Sequence, residues 1–433
     1  MPHKFSIDFQ WIPRDYGNAL ERATLADLSI AADGCLAMEL EDLIAKTISP
    51  SSRVSAYSLA FWFASNWWRL RWEPERDSFA WNMSHKVGAV GEGYLWPDVS
   101  FSSDGATVLV HAKAAPFRST GQPIRYLNSF DVFVPVNEFE RGIDDFIERV
   151  VARLLGVGSE NADLIGLWNE VLKERRDPGL ARGRKLEAIM GFDPGDAPDH
   201  LLLSLGHAAD NYGAGAVEEV AAASMASAIA DLDELWGAPR AESSKVRLPE
   251  IKTLRRLMHD EVRPSLFPWQ QATKAAQIAR HVWSVGTGPV ATKRLSDLLG
   301  FSEKLILEPS AAKGPMPAGY RNGASDSFDV FLHNPYSTSR RFALMRLVAD
   351  HLTAPPDDTL LPATPAKTQR QKFQRAFAQE FLCPYGELAT YLNTQEPGDE
   401  GIEDAARHFD VSPLLVKTTL VNKGQLERSS LAA

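Results

Sequence analysis

Between Ala56 and Trp72 the chain carries Phe61-Trp62-Phe63 and Trp67-Trp68, its most apolar stretch, and this stretch constrains the fold strongly. It is too short to span a bilayer, and Asn66, Arg69 and Arg71 interrupt it. Leu59, Trp62, Phe63 and Leu70 fall close to one helical stripe, which predicts a buried helix with aromatic packing. Trp72, Trp81 and Trp96 follow, interleaved with Arg69, Arg71 and Lys86. Such a cluster could also form a stacking surface for bases or a peptide. Core packing is the favoured reading. With 433 residues, 44% hydrophobic and 24% charged, the chain has material for two or three such cores.

The periodicities around this helix suggest α+β structure, predominantly helical. Residues 1–175 read as one tryptophan-rich α+β domain. Leu25 to Ile48 has helical periodicity. Thr107 to His111 reads as a strand, and the alternation from Phe130 to Val136 as a half-buried strand near a sheet edge. Ile143, Phe146, Ile147, Val150, Val151 and Leu154 mark an amphipathic helix. Gly88, Gly91 and Gly93 lack the strand–turn–helix setting of a dinucleotide fingerprint and read as a loop. Residues 176–260 read as a helical, alanine-rich connector, with a long periodic pattern from Asp210 to Trp236. Residues 261–433 read as a C-terminal helical domain with a small sheet.

A net charge of −10 argues against a general nucleic-acid coat. Cys35 and Cys383 lie in different predicted domains, so a disulfide is not expected and a cytoplasmic, reducing setting fits. The N-terminus shows no apolar core of signal-peptide length. No nucleophile elbow, phosphate-binding G-x-x-x-x-G-K or C-x-x-C pair occurs. No cofactor is expected.

The C-terminal part carries a series of ordered motifs. Pro268-Trp269-Gln270-Gln271 opens a helix-like run to Trp283. Gly288-Pro289-Val290 and the apolar Leu295, Leu298 and Leu299 follow, ending at Gly300. Phe328 to Pro335 reads as a strand ending in Asn334-Pro335. Then come Arg341-Phe342-Ala343-Leu344-Met345-Arg346-Leu347-Val348-Ala349-Asp350 and, later, Ala376 to Pro384. In this order and spacing the stretch from Pro268 to Leu426 resembles the ImmA/IrrE-type zinc metallopeptidases. The resemblance implies a zincin-like domain whose H-E-x-x-H box would place its histidines on Arg346 and Asp350 and its glutamate on Leu347.

The chemistry of that box is absent. H-E-x-x-H works because two imidazoles at i and i+4 share a helical face beside a general base. Arg346 has no lone pair for a metal, Leu347 cannot accept a proton, and Asp350 alone makes no site. The resemblance places a third ligand, a glutamate, just ahead of Phe377-Ala378, but the window from Thr368 to Gln379 contains no acidic residue. The domain therefore reads as a pseudo-peptidase with no metal site. By resemblance it would have kept recognition and lost cleavage, binding a protein partner such as a repressor or toxin–antitoxin component in stress response or mobile-element regulation.

Three further enzyme or binding readings stay open. Arg340, Arg341, Arg346, Arg370, Lys372 and Arg375 could converge into a pocket for a carboxylate or phosphate, or sit on solvated faces in ordinary i,i+4 pairs. A divergent metallo-endopeptidase could recruit His333, Asp350, His351 and Glu380 instead. Finally, Ala406-x-x-Phe409-x-Val411-Ser412-x-x-x-Val416-x-x-x-Leu420 fits helix–turn–helix spacing. A DNA-binding regulator built on it would use Lys417, Thr418 and Asn422, although Glu403, Asp404 and Asp410 disfavour phosphate contact.

Overall fold

The pattern from Leu25 to Ile48, predicted as helical, forms strands in the computed structural model. Alternate residues Ala26, Leu28, Ile30 and Ala32 are buried, and Asp33 (φ 48°) and Gly34 (φ 84°) follow them in the left-handed region. Two consecutive residues of that kind make a tight hairpin turn, which a helix cannot absorb. The structure describes residues 4–13, 18–116, 121–160, 162–223, 237, 239–263, 267–323, 326–393 and 397–431. The chain is mixed α+β with several small antiparallel sheets and a mainly helical C-terminal half. It divides into two compact units, Met1–Leu202 and Leu203–Ala433.

In the first unit β1 (Phe5–Trp11) leads through α1 (Ala19–Thr24) to β2 (Leu25–Ala32), its antiparallel partner. Asn18 and Glu21 close a capping box at the start of α1. β3 (Cys35–Leu36) continues the sheet, and β4 (Leu40–Asp42) with β5 (Thr47–Ser49) forms a separate hairpin. β6 (Ser52–Ser55) returns to β2, and its last residue, Ser55, caps α2 (Ala56–Ser65). The predicted tryptophan-rich helix is broken at Asn66 into α2 and α3 (Trp67–Trp72), followed by α4 (Phe79–His85).

β7 (Asp98–Ser103), β8 (Thr107–Lys113), β9 (Ile124–Tyr126) and β10 (Phe130–Pro135) follow. β10 lies at the edge of the β10-β8-β7 sheet, where Pro135 is tolerated. α5 (Val136–Gly156), α6 (Asp163–Arg176) and α7 (Pro178–Met190) complete the unit. Trp67, Trp68 and Trp81 are buried. The Trp68 indole N–H donates to Glu174 at 2.8 Å, and both the Arg71 guanidinium and the Lys185 ammonium lie over the Trp72 ring. Trp67, Trp68 and Trp81 are thus internal structure, while Trp72 and Trp96 are partly exposed.

α8 (Asp199–Tyr212) leads into the second unit and ends at Gly213, whose φ of 95° breaks the predicted long helix before α9 (Ala214–Ala223). The remainder of that pattern, 224–236, lies outside the described residues. The predicted connector is not wholly helical. β11 (Ser244–Arg247) is a strand of the second unit's sheet, paired from Ser244↔Val330 to Arg247↔Ser327. Four residues are too few to show a period, and pairing with a strand some eighty positions away settles their conformation.

Next come α10 (Ile251–Glu261), α11 (Pro268–Val282), α12 (Thr292–Leu299), stopped by left-handed Gly300, and α13 (Lys304–Leu307). β12 (Ala318–Tyr320), β13 (Ser327–Phe331), α14 (Ser337–Thr353), β14 (Leu360–Pro362) and α15 (Gln369–Leu382) build the centre. α16 (Tyr385–Leu392), α17 (Asp399–Phe409) and α18 (Pro413–Asn422) close the chain. The sheet order is β11-β13-β12-β14, antiparallel throughout. α14 is buried on nearly every side, and α15 packs against both α14 and α11. Among the described residues no helix is long and apolar enough to cross a membrane.

Gly142 of α5 packs closely against Phe5 of β1. A Cβ there would stand 2.6 Å from the Phe5 ring and 2.8 Å from the Phe5 carbonyl oxygen. Gly142→Ala is expected to destabilise the first unit by about 1–3 kcal/mol, read as a lower urea midpoint with an unchanged slope.

Candidate functional site

α14 presents Arg346 and Asp350, one turn apart, toward α15. The Asp350 carboxylate is fully buried and is gripped in bidentate fashion by Arg370 of α15. Arg370 Nε donates to Oδ1 at 2.7 Å and Nη2 to Oδ2 at 2.8 Å. The remaining Nη1 donates to Asp358 at 2.6 Å, so one guanidinium holds two carboxylates. Burial alone would make Arg370 easier to deprotonate. Attraction and hydrogen bonding from Asp350, with the further charges of Glu219 and Asp358, reverse that and raise its pKa.

Arg346 Nη2 donates to the Thr364 carbonyl at 2.6 Å and to Gln371 Oε1 at 2.5 Å. Its Nε is buried with no hydrogen-bond partner. Burial, and then repulsion from Arg375, pushes its pKa down to about 9. Arg375 donates to the Ala366 carbonyl at 2.9 Å and reaches the same Thr364 carbonyl at 3.5 Å; burial lowers its pKa too. Both arginines keep partial access to solvent. Gln371 accepts from the Thr364 amide as well and donates to the Pro362 carbonyl.

The fourth wall comes from α9. Glu219 is buried, and the Thr368 hydroxyl donates to its carboxylate at 2.6 Å. Burial raises the Glu219 pKa, against the lowering influence of Arg370, Thr368 and Gln371. Gly213 and Gly215 let the start of α9 meet Asp358: a Cβ on either would stand within 2.7 Å of that side chain.

Of the predicted cationic set, Arg346, Arg370 and Arg375 are brought together. Arg341 is not. It is engaged elsewhere, donating to Thr292 Oγ1 at 2.8 Å and the Val290 carbonyl at 2.5 Å and pairing with Asp410. Arg340 is taken up by the Ile306, Asn334 and Pro335 carbonyls. On a helix buried all round, successive arginines point to different neighbours, so adjacency in sequence works against convergence. Lys372 is half-buried on α15.

The arrangement does not fit zinc. Of the residues on which the predicted box would fall, Arg346 has no lone pair to offer, both oxygens of Asp350 are held by Arg370, and Leu347 is buried in the core. The relocated set is dispersed as well. His351 stacks on Phe328 and its Nδ1 faces Arg321 Nε, His333 stacks on Phe331, and Glu380 accepts from Gln277 and the Tyr385 amide. Among the described residues no three His, Cys, Asp or Glu side chains form a metal-holding group.

In the helix–turn–helix-like segment, α17 and α18 meet at left-handed Asp410. Lys417 pairs with Asp399 at 3.0 Å, Thr418 bonds back to the Leu414 carbonyl, and Asn422 is exposed.

Sequence reasoning missed Glu219, Asp358 and Gln371. A search for acids in the window 368–379 passes over Gln371, an amide with the shape of a glutamate. The paired Glu218-Glu219 in an otherwise apolar stretch was the available signal for α9. No protein-family model, curated protein or solved structure matches this chain.

Replacing Arg370 with leucine strands Asp350 and Asp358 without a counter-charge. Arg370→Leu is expected to lose about 3–5 kcal/mol in equilibrium denaturation; a loss below about 1 kcal/mol would contradict the assigned pairing. Glu219 has the opposite pH signature from a salt-bridged carboxylate. Between its ordinary value of 4.5 and its raised folded value, the folded state holds a proton that the unfolded chain has released. Stability therefore falls as pH rises through that window. Glu219→Gln should gain stability relative to wild type as pH rises above the ordinary carboxylate value of 4.5; parallel stability curves would show that the carboxylate is not penalised.

Proposed function

We propose that the second unit is a catalytically inert, ImmA/IrrE-like peptidase fold that acts by binding a protein partner, as a regulator or scaffold. One observation carries the reading. The two helix positions that would present metal-binding histidines carry Arg346 and Asp350, and both are bonded directly to α15, through Gln371 and Arg370. In a metallopeptidase a cation would bridge these helices and activate water. Here side chains bridge them, and no general base stands at Leu347. A domain that keeps its packed frame while its reactive centre is closed by hydrogen bonds retains surfaces for recognition and lacks the means to cleave.

The test is the metal content of purified protein, beside a variant carrying Arg346→His, Leu347→Glu and Asp350→His. Wild type is expected to carry no stoichiometric zinc. The triple variant is expected to stay apo or bind weakly, because Gln371 is a poor substitute for an anionic third ligand. About one zinc per wild-type chain, with the four-coordinate signature of a closed or catalytic site, would overturn the proposal.

A further inference from the structure

The terminal rung of the β10-β8-β7 sheet sets two opposite charges side by side and leaves both unengaged. Asp98, the first residue of β7, stands directly across from Lys113, the last of β8. Residues so paired share one face of a sheet, with Cβ atoms roughly 4.5–5.5 Å apart. Both side chains are exposed, and among the described residues neither makes an ion pair or a hydrogen bond. The next rung on the same face does pair: His111 Nδ1 meets Asp131 at 2.5 Å.

A cavity opens beside the unengaged rung. Pro97 has no amide with which β7 could continue its ladder. Beyond Lys113 the chain leaves β7 for β9: the Ala114 amide donates to Ser129 Oγ at 2.8 Å and the Ala115 amide to the Tyr126 carbonyl at 3.0 Å. The resulting cavity measures about 260 Å³, and Asp98 and Lys113 line it together with Leu95, Trp96, Ile124 and Tyr126. The two aromatic walls have their polar atoms engaged within the protein. The Trp96 indole N–H donates to the Gly91 carbonyl at 2.9 Å. The Tyr126 hydroxyl donates to the Leu95 carbonyl at 2.7 Å and meets the Ser52 hydroxyl at 3.1 Å. The rings therefore offer an occupant apolar surface, and the charges come from Asp98 and Lys113.

We propose that this cavity binds a free α-amino acid with an apolar side chain. Its ammonium would pair with Asp98, its carboxylate with Lys113, and its side chain would lie against Trp96 and Tyr126. Charge, spacing and size all favour such a ligand. An α-amino acid carries both charges on one carbon, as close together as two residues directly opposite in a sheet. No resident ion pair has to be broken to admit it. The cavity is also smaller than the roughly 300–1,000 Å³ that holds drug-sized ligands. A simple amine or anion would engage one charge and leave the other unmatched. The site lies in the first unit and is independent of the reading of the second.

The full chain is titrated by calorimetry with L-phenylalanine at physiological ionic strength. The comparison probes are phenylalaninamide, which lacks the carboxylate, N-acetylphenylalanine, which lacks the ammonium, and glycine, which lacks the apolar side chain. Wild type is expected to bind phenylalanine about tenfold tighter than each of the three, or more. Lys113→Gln should weaken phenylalanine about tenfold and erase its advantage over phenylalaninamide. Asp98→Asn should weaken it similarly and erase its advantage over N-acetylphenylalanine. Misfolding would weaken all probes together and cannot produce these two separate losses of preference. Asp131→Asn removes a carboxylate from the next rung, outside the cavity, and should leave every affinity within about twofold. No binding of phenylalanine by wild type, equal binding of phenylalanine and either analogue, or wild-type affinity in Lys113→Gln or Asp98→Asn would each overturn the proposal. A loss in Asp131→Asn as large as that in Asp98→Asn would overturn it too, by tracing the effect to the overall charge of the face.

Discussion

The Arg370 guanidinium, closed on Asp350 and Asp358, is the interaction around which the second unit is arranged. Asp350 lies on α14, Asp358 on the turn before β14, and Arg370 in the first turn of α15. One side chain therefore fixes the helix, the strand entry and the next helix relative to one another. A buried charge of this kind tolerates little displacement, because losing one hydrogen bond leaves an ion in a medium that solvates it poorly.

That constraint matters because α14 is apolar almost all round. Ala343, Leu344, Met345, Leu347, Val348, Ala349 and Leu352 are all buried, so hydrophobic packing distinguishes poorly between rotations of the helix about its axis. The bidentate Asp350–Arg370 pair discriminates sharply. It turns Arg346 toward α15, leaves His351 stacked on Phe328 of the sheet, and sends Arg341 toward Asp410. The same pair leaves both oxygens of the Asp350 carboxylate engaged by protein.

Sequence patterns predicted this architecture well where local periodicity and tertiary burial agree. β8, β10 and α5 lie where alternation and amphipathic spacing place them, and Gly300 ends α12 where a left-handed residue is needed. Prediction failed where a short segment takes its conformation from a distant partner. β2 carries apolar residues compatible with either period until the Asp33-Gly34 turn is seen, and β11 is a strand because β13 lies beside it. Asn66 divides the tryptophan-rich helix without a proline or glycine to announce it.

Some properties of the candidate site follow from side-chain chemistry alone. Arginine at 346, leucine at 347 and the absence of an acid from 368 to 379 exclude the H-E-x-x-H arrangement whatever the fold, because ligation needs lone pairs and proton transfer needs a base. Which charges meet is decided only by tertiary structure. Arg341 and Arg375 are equivalent as sequence, yet one ends beside Asp410 and the other beside Thr364, and Glu219 arrives from a helix some 130 positions before Arg346. A helix dictates the direction in which each side chain leaves its own axis; what it finds there depends on the packing of segments that share no local pattern.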